Sequence, residues 1–191
     1  KTDDVGLIVK TSKGRDTTID RELVRKTLRQ IVRSSNVSNP PKIYMLHGSM
    51  SLEEMNNLYK SKKLVGFVSA TRGEGFGLPF LEAAVSGLPI IATNWSSYTE
   101  FLHGESFLAV HYDLSQIAQS RIDNRIFVAG ARWADPREGN FKKKMNKLVA
   151  NSDDLKLAAQ SLKNELIASH SLENICEQYK NVIDKALSEK I

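Results

Sequence analysis

The sequence contains very little cysteine and no long apolar run. Its only cysteine, Cys176, excludes an internal disulfide and a cysteine-rich zinc site. Its apolar neighbours Ile175 and Tyr179 predict that this thiol is buried and inert. No apolar stretch approaches the roughly 18 residues of a membrane span, and no signal peptide opens the chain. These absences favour a cytoplasmic location.

Two kinds of partner site are also missing from the sequence. No cluster of acidic residues or histidines has the spacing of metal ligands, so no metal site is predicted. The lysines at 60–63 and 142–144 lack interleaved aromatic residues, which argues against a nucleic-acid partner. The net charge of +5 suits anything that carries phosphate, including a nucleotide or an anionic membrane surface. Peripheral contact with a membrane therefore stays open as an alternative.

The composition is that of a globular protein. At 191 residues, with 41% hydrophobic and 26% charged residues, the chain is long enough to bury a full core. No internal repeat or linker interrupts it. We therefore expect a single domain over residues 1–191, with a helical tail from about residue 137.

Short apolar runs alternate with amphipathic stretches along most of the chain. Strands are predicted at residues 5–9, 43–46, 64–69, 89–92 and 107–110. The first of these is expected to be buried on both faces, because it is a continuous run of mostly β-branched residues. The alternation predicts the α/β class, with a Rossmann-like parallel sheet and helices on both of its faces. Polar loops at the strand ends then lie on one edge of that sheet.

Helix signals accompany these strands. Apolar residues three and four apart predict a helix over residues 20–34 with Asp20 as its N-cap. Ser51 and Glu54 form a capping box that begins a second helix. Three more helices are predicted in the tail, at residues 137–150, 153–168 and 171–188. The state of residues 126–129 is left open.

The run EGFGLPFLEAAVSG, at residues 74–87, has the local design of a phosphate or nucleotide site. It follows a predicted strand, its glycines let the backbone come close to a ligand, and Pro79 suits the first turn of a helix that Gly87 ends. That helix is expected at about residues 79–86. Its N-terminus favours an anion, whereas the carboxylates of Glu74 and Glu82 favour hydroxyl groups.

Residues 69–93 resemble the signature of the family-4 retaining glycosyltransferases, and Glu74 and Glu82 match the ends of its Glu-x7-Glu motif. The likeness extends to His47-Gly48 upstream and to Trp133-Ala134-Asp135-Pro136 downstream, and it covers most of the chain. It implies the GT-B fold, in which two Rossmann-like domains face each other across a cleft. This chain resembles the C-terminal, donor-binding half, so the resemblance implies a facing N-terminal acceptor domain outside it.

The resemblance also implies roles for the motif residues. Glu82 would accept hydrogen bonds from the ribose, and Glu74 would lie by the donor sugar near the reacting carbon, as the catalytic residue. The substrate would be a nucleoside-diphosphate sugar, such as a UDP or GDP sugar, and no cofactor is expected. Backbone contacts to the sugar and the phosphates would come from Gly75, Phe76, Gly77 and Leu78.

Two further donor-binding positions depart from the family pattern. Lys10 and Arg15 stand where the family has an arginine and, five positions later, a lysine that clamp the diphosphate, and Lys13 competes with them. Ser96 and Ser97 replace a common Gly-Gly pair. The hydroxyl of Ser97 could still donate a hydrogen bond to the donor.

The expected reaction is metal-independent sugar transfer with retention at the anomeric carbon, in which Lys10, Arg15 and the helix N-terminus stabilise the departing diphosphate. Two alternatives remain open. The chain could be a catalytically incomplete nucleotide-sugar-binding or regulatory module. It could also be another enzyme of this architecture, such as a sugar-nucleotide epimerase or a glycan phosphorylase.

Overall fold

A computed structural model describes residues 5–188 of the chain. It has the predicted α/β class, with parallel sheets and six α-helices in the described part. The residues divide into two compact units between Met55 and Asn56.

The first unit holds a pair of parallel strands. Its elements are β1 (Leu7–Thr11), α1 (Thr18–Ser34) and β2 (Ile43–His47). Leu7 lies opposite Ile43, and Thr11 lies opposite His47. The expectation that the first strand is buried on both faces is wrong, because Leu7 and Ile8 are 36% and 39% exposed. Within this unit β1 pairs with a single strand, so its residues are only partly covered.

The start of α1 also differs from the prediction. Its N-cap is Thr17, whose hydroxyl accepts a hydrogen bond from the backbone N–H of Asp20 at 3.2 Å. The Asp20 carboxylate accepts in return from the Thr17 N–H at 3.1 Å. Asp20 is thus the third helical residue of a capping box rather than the N-cap. Three hydrogen bonds from Thr17 and Arg15 hold the pKa of the Asp20 carboxyl below its usual value.

Helix α2 (Leu52–Tyr59) spans the point at which the chain divides. The predicted capping box at its start is confirmed. The Ser51 N–H donates to Glu54 Oε2 at 2.7 Å, and the Glu54 N–H donates to Ser51 Oγ at 3.1 Å.

The second unit is built on a three-stranded parallel sheet of order β3–β4–β5. Its first elements are β3 (Phe67–Val68), α3 (Leu78–Val85), β4 (Ile90–Thr93), a 3-10 turn at Ser97–Glu100, and β5 (Leu108–Val110). These strands lie within the predicted apolar runs or one residue beyond them.

Helices cover both faces of this sheet, as predicted. On one face Phe67, which lies beside Ile90, contacts the ring of Phe80 in α3 at a centroid distance of 5.2 Å. On the other face Ile91 packs in a buried cluster that includes Leu148 of helix α4 (Glu138–Ala150). Strand β4 is buried along its whole length because it lies at the centre of the sheet.

An antiparallel hairpin follows β5, and it was not predicted. It consists of β6 (Tyr112–Gln116) and β7 (Arg132–Pro136), joined by a loop with a 3-10 turn at Gln119–Arg121. Residues 126–129, whose state was open, form neither helix nor strand. The Arg137 guanidinium donates two hydrogen bonds to the Asp113 carboxylate, at 2.9 and 2.6 Å, and closes the base of the hairpin.

The predicted helical tail is confirmed almost to the residue. It consists of α4 (Glu138–Ala150), α5 (Ser152–Ser169) and α6 (Leu172–Ser188). Helix α5 packs against α3, and α6 packs against α5. The prediction that Cys176 is buried is wrong, because its thiol lies on an exposed part of α6, where Tyr179 is also 68% exposed.

Candidate functional site

Residues 69–77, here called the motif loop, connect β3 to α3. Gly77 caps α3 with φ of 89°, in the left-handed region. A Cβ at this position would lie 3.0 Å from the Cβ of Tyr98, so both the backbone angle and the space require glycine. Pro79 lies in the first turn of α3, and Gly87 adopts φ of 80° after its last turn, both as predicted.

The end of the motif loop presents unpaired backbone donors. Within residues 5–188, the N–H groups of Gly75, Phe76, Gly77 and Leu78 have no hydrogen-bond partner. A side chain at Gly75 would meet nothing within 4 Å. Because these donors lie at a helix N-terminus, the partial positive charge of the helix adds to them. The arrangement can bind anionic or carbonyl-like oxygen atoms.

The backbone of Glu74 is held by the turn that follows β4. Its N–H donates to Ser96 Oγ at 2.8 Å, and its carbonyl oxygen accepts from Ser96 Oγ at 2.8 Å and from Ser97 Oγ at 3.1 Å. The Ser97 hydroxyl, predicted to face the donor, is therefore bonded to the motif loop in this structure. The Glu74 side chain remains exposed.

Ser96 has an unusual backbone conformation. Its φ of 85° and ψ of −176° fall in a region that is almost restricted to glycine. Such a conformation costs a non-glycine residue on the order of 1–3 kcal/mol. The hydrogen bonds to Glu74 partly offset this cost.

Glu82 lies one turn into α3 and is half-buried. The ring of Tyr59, at the end of α2, lies close enough to this carboxylate to be affected by its charge. Burial, together with the nearby negative charge of Glu82, raises the pKa of Tyr59 to about 12. Tyr59 therefore stays neutral beside the carboxylate at neutral pH.

A row of aromatic rings lies between the two carboxylates. The aromatic row consists of Tyr59, Phe67, Phe80 and Tyr98, with successive centroid distances of 6.3, 5.2 and 4.1 Å. At its far end the Tyr98 hydroxyl donates to the Thr93 carbonyl oxygen at 2.8 Å. Burial is the main cause that raises the pKa of Tyr98 to about 12, and the charge of Glu74 adds to it. The row therefore extends from the neighbourhood of Glu82 to that of Glu74.

The start of the motif loop is attached to the hairpin. The Arg72 guanidinium donates to the Asp135 carboxylate of β7 and lies 4.6 Å from the centroid of the Trp133 ring. The Ser115 hydroxyl donates to the same carboxylate at 2.8 Å. Hydrogen bonds from Ser115 and then Arg72 hold the pKa of the Asp135 carboxyl below its usual value.

Among the predicted phosphate ligands, Lys10 and Arg15 belong to the first unit. The Lys10 ammonium donates to the Gly48 carbonyl oxygen at 2.6 Å. The Arg15 guanidinium has no partner among the described residues, although the Arg15 N–H donates to Asp20. In the same unit the His47 Nε2 atom is buried, and no described residue bonds to it. The role of these side chains toward a diphosphate stays a prediction.

Several side chains around the motif loop were not named as site residues from the sequence. Ser96 carried a signal, because the family resemblance implies a common Gly-Gly pair where this chain has Ser96 and Ser97. Tyr59, Tyr98 and Arg72 carried none, since their contacts join segments far apart in the chain.

The described residues contain neither a metal-binding cluster nor a helix that could span a membrane. In residues 5–188, no group of three or more His, Cys, Asp or Glu side chains could hold a metal ion. No helix in that range combines the length and the apolar character needed to cross a bilayer.

Comparison with known proteins gave a match to a protein family. The family model described as "Glycosyl transferases group 1" matches residues 26–123, just over half of the chain. The matched segment includes the motif loop, α3 and the turn that carries Ser96 and Ser97. A search of curated proteins found no match.

Proposed function

The chain belongs to the glycosyl transferases of group 1, and from this membership we propose that it is the donor-binding half of a retaining, family-4 transferase with the GT-B fold. Its substrate is a nucleoside-diphosphate sugar, and an N-terminal domain outside this chain provides the acceptor side. The observation that carries the proposal is the run of four N–H groups at residues 75–78 that bond to no described residue, with Glu74 immediately before it and Glu82 one turn after it.

Glu82 suits the ribose. It is half-buried on a helix, so its position is set by the backbone, and its two carboxylate oxygens can accept several hydrogen bonds. A carboxylate can accept further bonds from two neighbouring hydroxyls. Bonds of this kind, between a neutral donor and a charged acceptor, are among the stronger ones in proteins.

The donors at residues 75–78 suit the phosphates and the oxygens of the sugar. During transfer the bond between the anomeric carbon and the diphosphate oxygen breaks, and its electron pair leaves with the diphosphate. Fixed N–H groups at a helix N-terminus stabilise that growing negative charge without reorganisation. Lys10 and Arg15 are the proposed additional ligands of the diphosphate, in place of a metal ion.

Glu74 suits the sugar. Its carboxylate is exposed beside the free donors, and a negative charge there stabilises the positive charge that develops at the anomeric carbon in an oxocarbenium-like transition state. Its backbone is held from the opposite loop, so the side chain starts from a defined position.

Calorimetric titration of the full chain with UDP, GDP and their sugars tests this proposal. We expect one of the two nucleotides to bind, and Glu82→Ala to weaken binding by about ten-fold to a hundred-fold, because hydrogen bonds to a charged group contribute about 1.5–3 kcal/mol. Glu177→Ala, a change at an exposed glutamate of α6, is the matched control and should bind as the unchanged chain does.

Each result bears on a different part of the proposal. If neither nucleotide nor any of their sugars binds, the donor-binding function is wrong. If the nucleotide binds equally well after Glu82→Ala, the ribose role of Glu82 is wrong. Binding without transfer, even after the facing domain is added, would instead favour a regulatory module.

A further inference from the structure

Ser96 combines a backbone that favours glycine with a side chain that glycine lacks. Its φ and ψ of 85° and −176° disfavour any L-residue. A glycine would adopt the same angles without strain. The conformation alone therefore does not favour a serine at this position, and the hydroxyl is the feature that glycine would not supply.

The Ser96 hydroxyl makes two hydrogen bonds, both to the backbone of Glu74. Oγ accepts from the Glu74 N–H and donates to the Glu74 carbonyl oxygen, each at 2.8 Å. These bonds join two loops that are 22 residues apart in sequence. The N–H and the carbonyl oxygen of Glu74 are thus both bonded to a single atom, Ser96 Oγ. These bonds restrict rotation of the peptide groups on both sides of Glu74.

The residue held in this way is Glu74, whose carboxylate is exposed on the motif loop. Within residues 5–188 the Glu74 side chain has no hydrogen bond or ion pair of its own, so its direction depends on its backbone. Glu82 differs, since it lies within α3 and is half-buried.

We propose that Ser96 is a positioning residue, whose hydroxyl holds the Glu74 backbone so that the Glu74 carboxylate faces the donor sugar. This inference rests on the proposed function, because it takes a nucleoside-diphosphate sugar as the ligand. Ser97 assists through its single bond to the Glu74 carbonyl oxygen, at 3.1 Å.

Two substitutions separate positioning from a merely structural role. Ser96→Gly removes both hydrogen bonds but relieves the backbone strain, whereas Ser96→Ala removes the same bonds and keeps the strain. The alanine variant should therefore be less stable than the glycine variant. If Ser96 positions Glu74, both variants should lose sugar recognition equally. If Ser96 only stabilises the fold, the less stable alanine variant should lose more sugar recognition than the glycine variant.

The measurement compares the affinity of the full chain for the nucleotide sugar with that for the nucleoside diphosphate alone. In both variants we expect the ratio of these affinities to fall by about five-fold to ten-fold, in line with the loss of two ordinary hydrogen bonds. Affinity for the nucleoside diphosphate alone should not change, because Glu82 and residues 75–78 are untouched. Ser106→Ala, which removes a hydroxyl that accepts from the His103 N–H, is the control and should leave both affinities unchanged.

Hydrogen exchange of the Glu74 amide gives a reading that needs no ligand. Exchange should become faster in both variants and remain slow in Ser106→Ala. An unchanged affinity ratio in both variants, or a loss in the alanine variant only, overturns the positioning role. If the unaltered chain binds no nucleotide, the proposed function and the sugar role of Ser96 both fail. Faster exchange would then show only that the two loops are joined.

Discussion

The aromatic row and the motif loop lie next to each other but are held in different ways. Three of the four rings in the row are less than 10% exposed, and Phe80 stacks on Tyr98 at a centroid distance of 4.1 Å. The motif loop is exposed from Arg72 to Phe76, and it is held by hydrogen bonds between its residues and Ser96, Ser97 and Asp135. The row is mostly buried, whereas the N–H groups at the end of the loop bond to no other residue of the described range 5–188. The difference shows how a packed core can carry a site whose polar groups are left for a ligand.

The largest effect on stability should come from adding a methyl group at Gly77, where the motif loop contacts the aromatic row. Gly77→Ala forces a non-glycine residue to φ of 89° and places its Cβ 3.0 Å from Tyr98. We expect a loss of about 2–4 kcal/mol in the free energy of unfolding, from backbone strain and overpacking together. Urea unfolding of the full chain measures it.

Gly75→Ala is the matched control for that substitution. Its Cβ would meet nothing within 4 Å, so the free energy of unfolding should change little. Its methyl group would project beside the free N–H groups and should weaken binding of the nucleotide sugar. If both substitutions destabilised the fold equally, the distinction between the row and the loop would be lost.

The second-largest effect should be a loss of stability at high pH, caused by the two tyrosines of the aromatic row. Tyr59 and Tyr98 have their pKa values raised to about 12, from an ordinary value of 10.0. Between these values the unfolded chain has lost the phenolic protons that the folded chain retains, so stability must fall as pH rises. Each two-unit difference corresponds to at most about 3 kcal/mol.

Unfolding in urea at pH 9 and pH 11.5 measures this loss. We expect Tyr98→Phe to lose less stability over this range than the unchanged chain, after a smaller constant loss from its missing bond to Thr93. Tyr179→Phe, a change at an exposed ring of α6, is the control and should keep the unchanged pH dependence. An equal pH dependence in Tyr98→Phe would argue that burial of this hydroxyl does not affect its titration.

The same division between packing and polar contacts explains what the sequence could predict. Periodic apolar patterns and caps depend on neighbours in sequence, so α3, the three tail helices and the Ser51–Glu54 capping box were predicted within about one residue. The hairpin was missed because β6 and β7 mix polar and apolar residues, and polar pairs such as Arg137 with Asp113 stabilise it.

The candidate site shows the same limit. The residue types and spacing of the motif loop predicted a backbone that approaches a ligand, and Gly87 has the expected left-handed angle. The left-handed angle of Gly77 was not predicted. The direction of the Ser96 hydroxyl and the approach of Tyr59 to Glu82 depend on segments brought together by folding. No local pattern encodes such contacts.

The smallest effect should come from the attachment of the motif loop to the hairpin. Asp135→Asn removes the charge that faces Arg72, but both side chains are about 40–50% exposed. Exposed ion pairs contribute less than about 1 kcal/mol, so urea unfolding at pH 7 should change by no more than that. Glu138→Gln, which breaks an exposed pair with Lys142 in α4, is the matched control.

The local effect of Asp135→Asn should exceed its effect on global stability. The Ala134 N–H bonds the Arg72 carbonyl oxygen at a long 3.4 Å, and its hydrogen exchange should become faster when the ion pair is lost. Because the pKa of Asp135 lies below the usual 3.8, the pair stabilises the fold above that pH and is lost as the pH falls through the lowered value. Exchange of Ala134 in the unchanged chain should therefore approach that of the variant in strong acid. A loss of global stability above 2 kcal/mol would contradict this prediction, since the motif loop would then be part of the same cooperative core as the aromatic row.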